Sequence, residues 1–368
     1  MTKFSLPMVA EERSSFEKCV YCPKLCRAAC PVSNAEPNET LTPWGKMSSI
    51  FFAGRGDRPV TEELGSLAWA CTNCGACASR CDHKNQVGHV LGKVRGPLLD
   101  LGVAPQAARE VLLRGAARRA RSALNISAIR GRLGRGSEPA PGAPTLLLGC
   151  GYTLRHVDVA EQAVRVVEAL VGEPVNLADG CCGAPEQMAG DTRGATALQR
   201  TLVRRGRTIV LDPTCARALL DAGRDDVELV VDVAVEAIGK LATVGGAPMR
   251  YHDPCALGRG LGKFDEPRRL IEKVRGVPPL EFDRRREAAD CSGGGGLVPV
   301  VRPSTSNAIA RARIDQHENA RDGQESPIIT ACAGSLTRLR RSGANVVDVV
   351  TLLAEGLGIG FRSEAEEQ

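Results

Sequence analysis

The sequence predicts an α+β protein, in which a mainly helical N-terminal domain is followed by two repeated α/β domains related by pseudo-twofold symmetry. Eight of the fifteen cysteines lie before residue 82 in two tight groups, whereas the other seven are spread from residue 150 to residue 332. A Gly- and Pro-rich stretch, GRGSEPAPGAPT (134–145), breaks any helix and separates the two halves. After it, the pattern of apolar runs and cysteines occurs twice, about 105 residues apart.

These observations divide the 368 residues into four parts. We expect a cysteine-rich N-terminal domain (1–100), a basic helical segment with the linker (101–144), a first repeat unit (145–246), and a second unit with a C-terminal tail (247–368). The sequence shows no signal peptide and no apolar run long enough to span a membrane, so we expect a soluble, cytoplasmic chain without a transmembrane segment. In a reducing compartment, clustered cysteines indicate metal binding rather than disulfides.

The first eight cysteines have ferredoxin-type spacing. The runs C-VY-C-PKL-C-RAA-C-P and C-TN-C-GA-C-ASR-C comprise Cys19, Cys22, Cys26 and Cys30, and then Cys71, Cys74, Cys77 and Cys81. Such runs hold two 4Fe-4S clusters, and the fourth cysteine of each run usually completes the other cluster. Cys30 is therefore predicted to join the second group and Cys81 the first. A zinc ribbon is the alternative metal site, but it binds each zinc ion through two Cys-x-x-Cys pairs and does not account for two runs of four cysteines.

Four of the seven later cysteines follow strand-like segments. The runs TLLLG, TIVLD, MRYH and PIIT alternate with helical patterns, and a cysteine lies at or just past the carboxyl end of each. In open parallel sheets those ends share one edge, where separate cysteines converge. The first unit offers Cys150, Cys181, Cys182 and Cys215, and the second offers Cys255, Cys291 and Cys332.

Cys181 and Cys182 are adjacent, and adjacent side chains of an extended chain point to opposite sides. They face one metal centre only if the backbone turns sharply, which Gly183 allows. Four sulfur ligands of this kind suit an iron-sulfur cluster or a tetrahedral zinc ion.

The basic charge of the chain has two interpretations. The net charge is +5, and seven arginines without an acidic residue lie between Val111 and Arg135. They form either a solvated helix face or a docking patch for an acidic partner or an anionic membrane.

The glycines of GRGLG (258–262) and GGGG (293–296) indicate backbone room around a metal or partner rather than phosphate binding. His252 and Asp253 either hydrogen-bond near sulfur or only pack a loop. Aromatic residues make up 3% of the chain and no nucleic-acid motif occurs, so we expect no nucleic-acid partner.

At these residues the sequence resembles a known family. The CCG segment, HDPCALGR and CSGGGG are similar to the cysteine-rich (CCG) domains of heterodisulfide reductase, of the iron-sulfur subunits of anaerobic glycerol-3-phosphate dehydrogenase and glycolate oxidase, and of lactate-utilisation proteins. The ferredoxin pair followed by two such domains resembles their fused arrangement. The resemblance implies that full motifs bind a cluster whose neighbouring irons contact the paired cysteines.

Against the family pattern, both repeats are incomplete. Asp212 stands where the first cysteine of the downstream pair is expected in the first repeat. In the second repeat, Ser292 replaces the second cysteine of CCG and Ser335 replaces the last cysteine. The first unit therefore keeps four thiols and the second keeps three.

The resemblance implies an electron-transfer subunit with two 4Fe-4S clusters, which passes electrons between a flavoprotein dehydrogenase, or another redox protein, and a downstream acceptor. The CCG domains would add a further iron-sulfur cluster, a zinc ion or both. Membrane association, if any, would be peripheral and through a partner. Two alternatives stay open: a catalytic thiol-disulfide or quinone reductase with its site in the CCG domains, and a zinc-organised scaffold that carries a ferredoxin domain.

Overall fold

The computed structural model describes residues 6–134, 142–202, 206–320, 322 and 325–360. Within these residues the N-terminal domain is helical, and the two later units each contain a parallel sheet flanked by helices. This is the α+β architecture that the sequence predicts. The pseudo-twofold relation of the two units stays a prediction.

Seven helices build the N-terminal domain around an apolar core that includes Phe16, Met47 and Trp69. Thr42 begins helix α4 (Pro43–Gly54), because its hydroxyl accepts the amide N–H of Gly45 and a proline follows it. The helices are α1 (Pro7–Glu11), α2 (Arg13–Val20), α3 (Pro31–Ala35), α4 (Pro43–Gly54), α5 (Glu62–Trp69), α6 (Ala76–Ser79) and α7 (Val87–Asp100).

The basic segment forms α8 (Gln106–Leu113) and α9 (Gly115–Arg132). Helix α9 packs against the first repeat unit rather than lying free in solvent. Arg118 and Arg119 both donate to Glu186, at 2.6 and 2.7 Å. Ion pairs also involve Arg114, Arg130 and Arg132, whereas Arg135 lies outside the described residues. Much of the basic charge is therefore neutralised within the chain.

The first unit contains a four-stranded parallel sheet in the order β2-β1-β3-β4. Thr145 pairs with Thr208, and Leu147 with Val210, in the two central strands. The elements are β1 (Thr145–Leu147), α10 (Cys150–Arg155), α11 (Val157–Val171), β2 (Asn176–Leu177), α12 (Ala184–Ala189), α13 (Thr192–Thr201), β3 (Thr208–Val210), α14 (Pro213–Asp221), β4 (Val227–Leu229) and α15 (Val230–Glu236).

The second unit has the corresponding strand order, β6-β5-β7-β8, again with parallel pairs. Its elements are β5 (Arg250–Tyr251), α16 (Gly258–Leu261), α17 (Glu266–Arg275), β6 (Leu280–Glu281), α18 (Val298–Val301), α19 (Pro303–Glu318), β7 (Ile328–Thr330), α20 (Ala333–Arg341), β8 (Val346–Asp348) and α21 (Val349–Gly356).

One apolar core runs through both units, since residues of both sheets and of the helices between them belong to a single buried cluster. A buried polar contact also joins the units: the Tyr152 hydroxyl donates to Asp348 at 2.8 Å. The helical pattern over 306–323 predicts an end at Gly323, but α19 ends at Glu318. Gly323 itself lies outside the described residues.

Candidate metal centres

The first cysteine set combines three cysteines of the first run with the last cysteine of the second run. Its members are Cys19, Cys22, Cys26 and Cys81. Cys19 lies in the last turn of α2, and the Asn85 amide donates to its sulfur at 3.1 Å. Burial, together with the neighbouring thiols, raises the pKa of Cys19 to about 12. Metal binding would remove this proton, because the thiolate is the ligand.

The second set contains the other four cysteines, that is, the last cysteine of the first run and the first three of the second run. Cys30, Cys71, Cys74 and Cys77 line one cavity between the two runs. Gly75 adopts the left-handed conformation at φ 73°, which turns the chain between Cys74 and Cys77 and starts α6. Thus the two runs exchange their fourth cysteines.

The position of Lys46 indicates whether a negatively charged cluster suits the second set. It lies on α4 with only 1% of its surface exposed, and its ammonium is 3.6 Å from the sulfur of Cys30. A buried cation is costly without a negative partner. Thiolates holding an iron-sulfur cluster would supply that negative charge. The residues present therefore fit the group.

The first CCG unit brings its four thiols together. Cys150 begins α10, Cys215 lies in the first turn of α14, and the Cys182 sulfur is 3.1 Å from that of Cys215. The neighbouring thiols of Cys150 and Cys182 lower the pKa of Cys181. Gly183 makes the sharp turn at φ 72°, and a Cβ there would lie 2.7 Å from the Ala195 carbonyl oxygen. The four sulfurs thus form one compact group.

The second unit lacks a thiol at two positions where the first unit has one. Ser292 and Ser335 stand where the first unit has Cys182 and Cys215, and their hydroxyls are hydrogen-bonded at 3.1 Å. The serine pair closes on itself with a hydrogen bond that needs no metal. Cys332 begins α20 and is close enough for its pKa to be raised by Asp212 and Cys255, after the larger effect of burial.

The other two cysteines of the second unit lie against the N-terminal domain. Cys291 and Cys74 of the second ferredoxin set are buried in one cluster, against which Cys255 packs, and the thiols of Cys255 and Cys74 raise the pKa of Cys291. Sequence spacing does not indicate this contact, because 217 residues separate Cys74 from Cys291. The second CCG unit therefore meets the second ferredoxin set directly through sulfur.

Glycines make this approach possible. The loop that follows Cys291 passes the backbone of the second ferredoxin run, and a Cβ at Gly296 would lie 2.0 Å from the Cys71 carbonyl oxygen. At Gly295 a Cβ would lie 2.4 Å from the Thr72 carbonyl oxygen. The GGGG segment thus provides backbone room at an interface between domains.

Arg259 adds a cation to this interface. Its Nε donates to the Cys74 carbonyl at 2.6 Å, and its Nη1 donates to the Ala289 carbonyl at 2.8 Å. Its Nη2 is buried without a hydrogen-bond partner. Negative charge on the thiols of Cys74, Cys255 and Cys291 raises the pKa of Arg259 against the opposing effect of burial. An orphaned guanidinium nitrogen next to these sulfurs fits a negatively charged group bound there.

The first CCG unit also contacts the second ferredoxin set. Arg95 is buried on α7 and donates to the carbonyls of Cys71, at 3.2 Å, and of Met188, at 2.9 Å. Trp69 donates to the same Met188 carbonyl at 3.1 Å. Since Met188 lies on α12, directly after the CCG segment, the second set is in contact with both units.

Two families of protein domain match these regions. The 4Fe-4S dicluster domain matches residues 15–85, and the cysteine-rich domain (CCG) matches residues 145–216 and 249–340. The chain belongs to the CCG-domain iron-sulfur proteins. Among the described residues, no helix is long and apolar enough to cross a bilayer.

Several curated relatives of this CCG protein are named as subunits of oxidoreductases. The chain is 26% identical to one of the subunits of the fumarate reductase (CoM/CoB) of Methanothermobacter marburgensis, over 88% of this chain and 67% of the relative. It is 34% identical to one of the subunits of the dihydromethanophenazine:CoB–CoM heterodisulfide reductase of Methanosarcina mazei, over 30% of this chain and 27% of the relative. Lactate utilization protein A of Oceanobacillus iheyensis is 22% identical, over 55% and 91%. No solved structure matches the chain.

The remaining candidates are not gathered at the sulfurs. His252 is buried and accepts from Arg313 at 3.2 Å, and Asp253 pairs with Arg268. These contacts support the loop-packing interpretation. Among the described residues, no three side chains of His, Cys, Asp or Glu are arranged around a single-ion site.

Asp212 has a structural use in place of the missing cysteine. Its carboxylate begins α14 by accepting the amide N–H of Thr214 at 2.7 Å, while burial raises its pKa.

The sequence interpretation missed Lys46, Arg95 and Arg259. Lys46 carries a signal, since it is the one charged residue in the otherwise uncharged helix α4.

Proposed function

We propose that this CCG protein is the electron-transfer subunit of an oxidoreductase complex, with a 4Fe-4S cluster in each ferredoxin cysteine set and a further iron-sulfur cluster in the first CCG unit. Bound clusters would supply one-electron chemistry at each set. The redox partner is a flavoprotein dehydrogenase or another redox protein. The fifteen cysteines are all free, which suits a reducing compartment such as the cytoplasm.

The observation that carries the proposal is the position of the second ferredoxin set. Cys74 and Cys291 of the second CCG unit are buried in one cluster, and Arg95 joins Cys71 to Met188 on α12 of the first unit. Electron transfer weakens steeply with distance, so direct contacts through sulfur and backbone favour it. An arrangement in which the second set touches both CCG units supports relay of electrons within the chain.

The substitutions in the second unit limit where the third cluster is expected. The first unit keeps Cys182 and Cys215, whereas the second unit has the hydrogen-bonded pair Ser292 and Ser335. We therefore assign the cluster to the first unit only. In the second unit, Cys255 and Cys291 line the boundary of the second ferredoxin set.

The experiment is a turnover assay beside an electron count. The chain, purified without oxygen, is titrated with dithionite and then assayed with reduced viologen dye and either a disulfide or a quinone. We expect uptake of about one electron per cluster and no turnover of either substrate. Disulfide or quinone turnover that disappears in Cys181→Ser/Cys182→Ser would instead make the chain a reductase in its own right.

A further inference from the structure

Two large apolar side chains are exposed on the loop that carries the first cysteine set. Tyr21 is 73% exposed and Leu25 is 61% exposed, on either side of Cys22. The loop is held in place, because Trp44 donates to the Val20 carbonyl at 3.2 Å and the Lys24 ammonium lies 3.8 Å above the Trp44 ring. Exposed apolar side chains on a fixed loop are a feature of interaction surfaces.

Basic side chains lie next to cysteines of the same set. Lys18 precedes Cys19, Arg80 precedes Cys81, and the backbone N–H of Lys84 donates to the Cys81 carbonyl at 3.0 Å; all three side chains are exposed. We call Tyr21, Leu25, Lys18, Arg80 and Lys84 the loop face.

The acidic residues near the loop face are mostly paired. Glu17 forms an ion pair with Arg13 at 2.7 Å, and Glu39 forms one with Arg27 at 2.6 Å. Asp82 is also exposed and offsets one positive charge. The balance of the face is therefore basic, which complements an acidic surface.

The CCG units cover the second ferredoxin set more fully than the first. Cys291, Arg259 and the glycine loop lie over it from the second CCG unit, and α12 lies against it from the first. Three cysteines of the first set, Cys22, Cys26 and Cys81, are partly exposed beside the loop face, against two of the second set, Cys71 and Cys77. Of the two sets, the first is the one that a separate protein reaches more closely.

We propose that the loop face is the docking surface for an acidic one-electron redox protein, such as a protein of the ferredoxin type whose cluster is surrounded by carboxylates. In each encounter the donor is oxidised by one electron and this chain is reduced by one, and no bond or proton is exchanged. This inference rests on the proposed electron-transfer function and adds the chemistry and contact site of the partner.

The test measures the rate at which a reduced acidic ferredoxin, used as a probe, reduces the oxidised chain in a stopped-flow instrument. For the wild-type chain we expect the rate to fall as ionic strength rises, because salt screens the attraction. Lys18→Glu/Lys84→Glu should lower the rate at low salt roughly tenfold or more and remove most of the salt dependence. Tyr21→Ser/Leu25→Ser should lower it at all salt concentrations.

A matched control changes the same kinds of residue on another surface. Leu113 is 82% exposed at the end of α8, beside the exposed Arg114. Leu113→Ser/Arg114→Glu should leave the rate unchanged. Iron content shows whether each variant keeps its clusters, and the salt dependence of the wild-type chain needs no variant at all.

Two results would contradict the inference. One is a wild-type rate that does not depend on salt; the other is a loop-face variant that keeps its iron and matches the control. Dithionite separates failure of the docking surface from failure of the proposed function. A chain that dithionite reduces normally keeps the function and loses only the docking surface, whereas an iron-loaded chain that dithionite cannot reduce contradicts the function itself.

Discussion

Single charged residues distinguish the two ferredoxin sets. The second set has Lys46, 3.6 Å from the Cys30 sulfur, and Arg259 on the Cys74 carbonyl. The first set instead receives a neutral hydrogen bond, from Asn85 to Cys19. A buried cation stabilises the more negative, reduced form of a nearby cluster. The second set should therefore have the higher reduction potential, which favours electron flow toward the CCG units.

Lys46→Met removes this charge with a side chain of similar length. We expect the reduction potential of the second set to fall by an amount on the order of 100 mV, taking an effective dielectric constant of about 20. A redox titration followed by EPR spectroscopy measures both sets in one sample. Lys93→Met, on the exposed part of α7, is the control. A potential that stays the same in Lys46→Met, or a change in the first set instead, would count against this role.

At the residue scale, the sequence predicts ligand candidates better than their surroundings. Cysteine spacing alone indicates that Cys30 and Cys81 exchange groups, and the structure places them in this way. Arg259 could not be identified by the same reasoning, because the carbonyl that it binds belongs to Cys74, 185 residues away. A charge acts on a redox site through contacts that sequence spacing does not contain.

At the scale of elements, the repeat units show how one site is kept and the other changed. Strands β1, β3, β5 and β7 form in the apolar runs where the sequence predicts them. Strands β2 and β6 are only two residues long and have no apolar run to indicate them. Four cysteines follow the predicted strands, whereas Cys181, Cys182 and Cys291 follow the short edge strands β2 and β6. The CCG and CSGGGG motifs indicate these three cysteines without the edge strands.

Replacing the serine pair by cysteines tests whether the second unit can bind a cluster with the ligands of the first. Because Ser292 and Ser335 occupy the places of Cys182 and Cys215, Ser292→Cys/Ser335→Cys should restore a thiol group around Cys255 and Cys291. We expect the variant to gain about four irons and four sulfides per chain over the wild type. Ser306→Cys, a nearby buried serine on α19, is the control for added thiols. If both variants contain wild-type iron, the second unit has lost more than two ligands.

At the scale of the whole molecule, the second ferredoxin set is the meeting point of the three domains. The division into a ferredoxin domain and two CCG units follows from the sequence, but their mutual arrangement does not. It depends on close backbone contacts such as that between Gly296 and Cys71, and on the buried Arg95. A short glycine run indicates that something approaches closely, and only the folded chain identifies what approaches.

The most direct test of the account is the iron, sulfide and zinc content per chain after purification without oxygen, for the wild type and for Cys182→Ser/Cys215→Ser. That variant gives the first unit the serine pair of the second. We predict about twelve irons in the wild type, about eight in the variant, and no zinc in either. About eight irons in both, with zinc lost in the variant, would contradict a redox centre in the first CCG unit and make that unit a zinc-organised support.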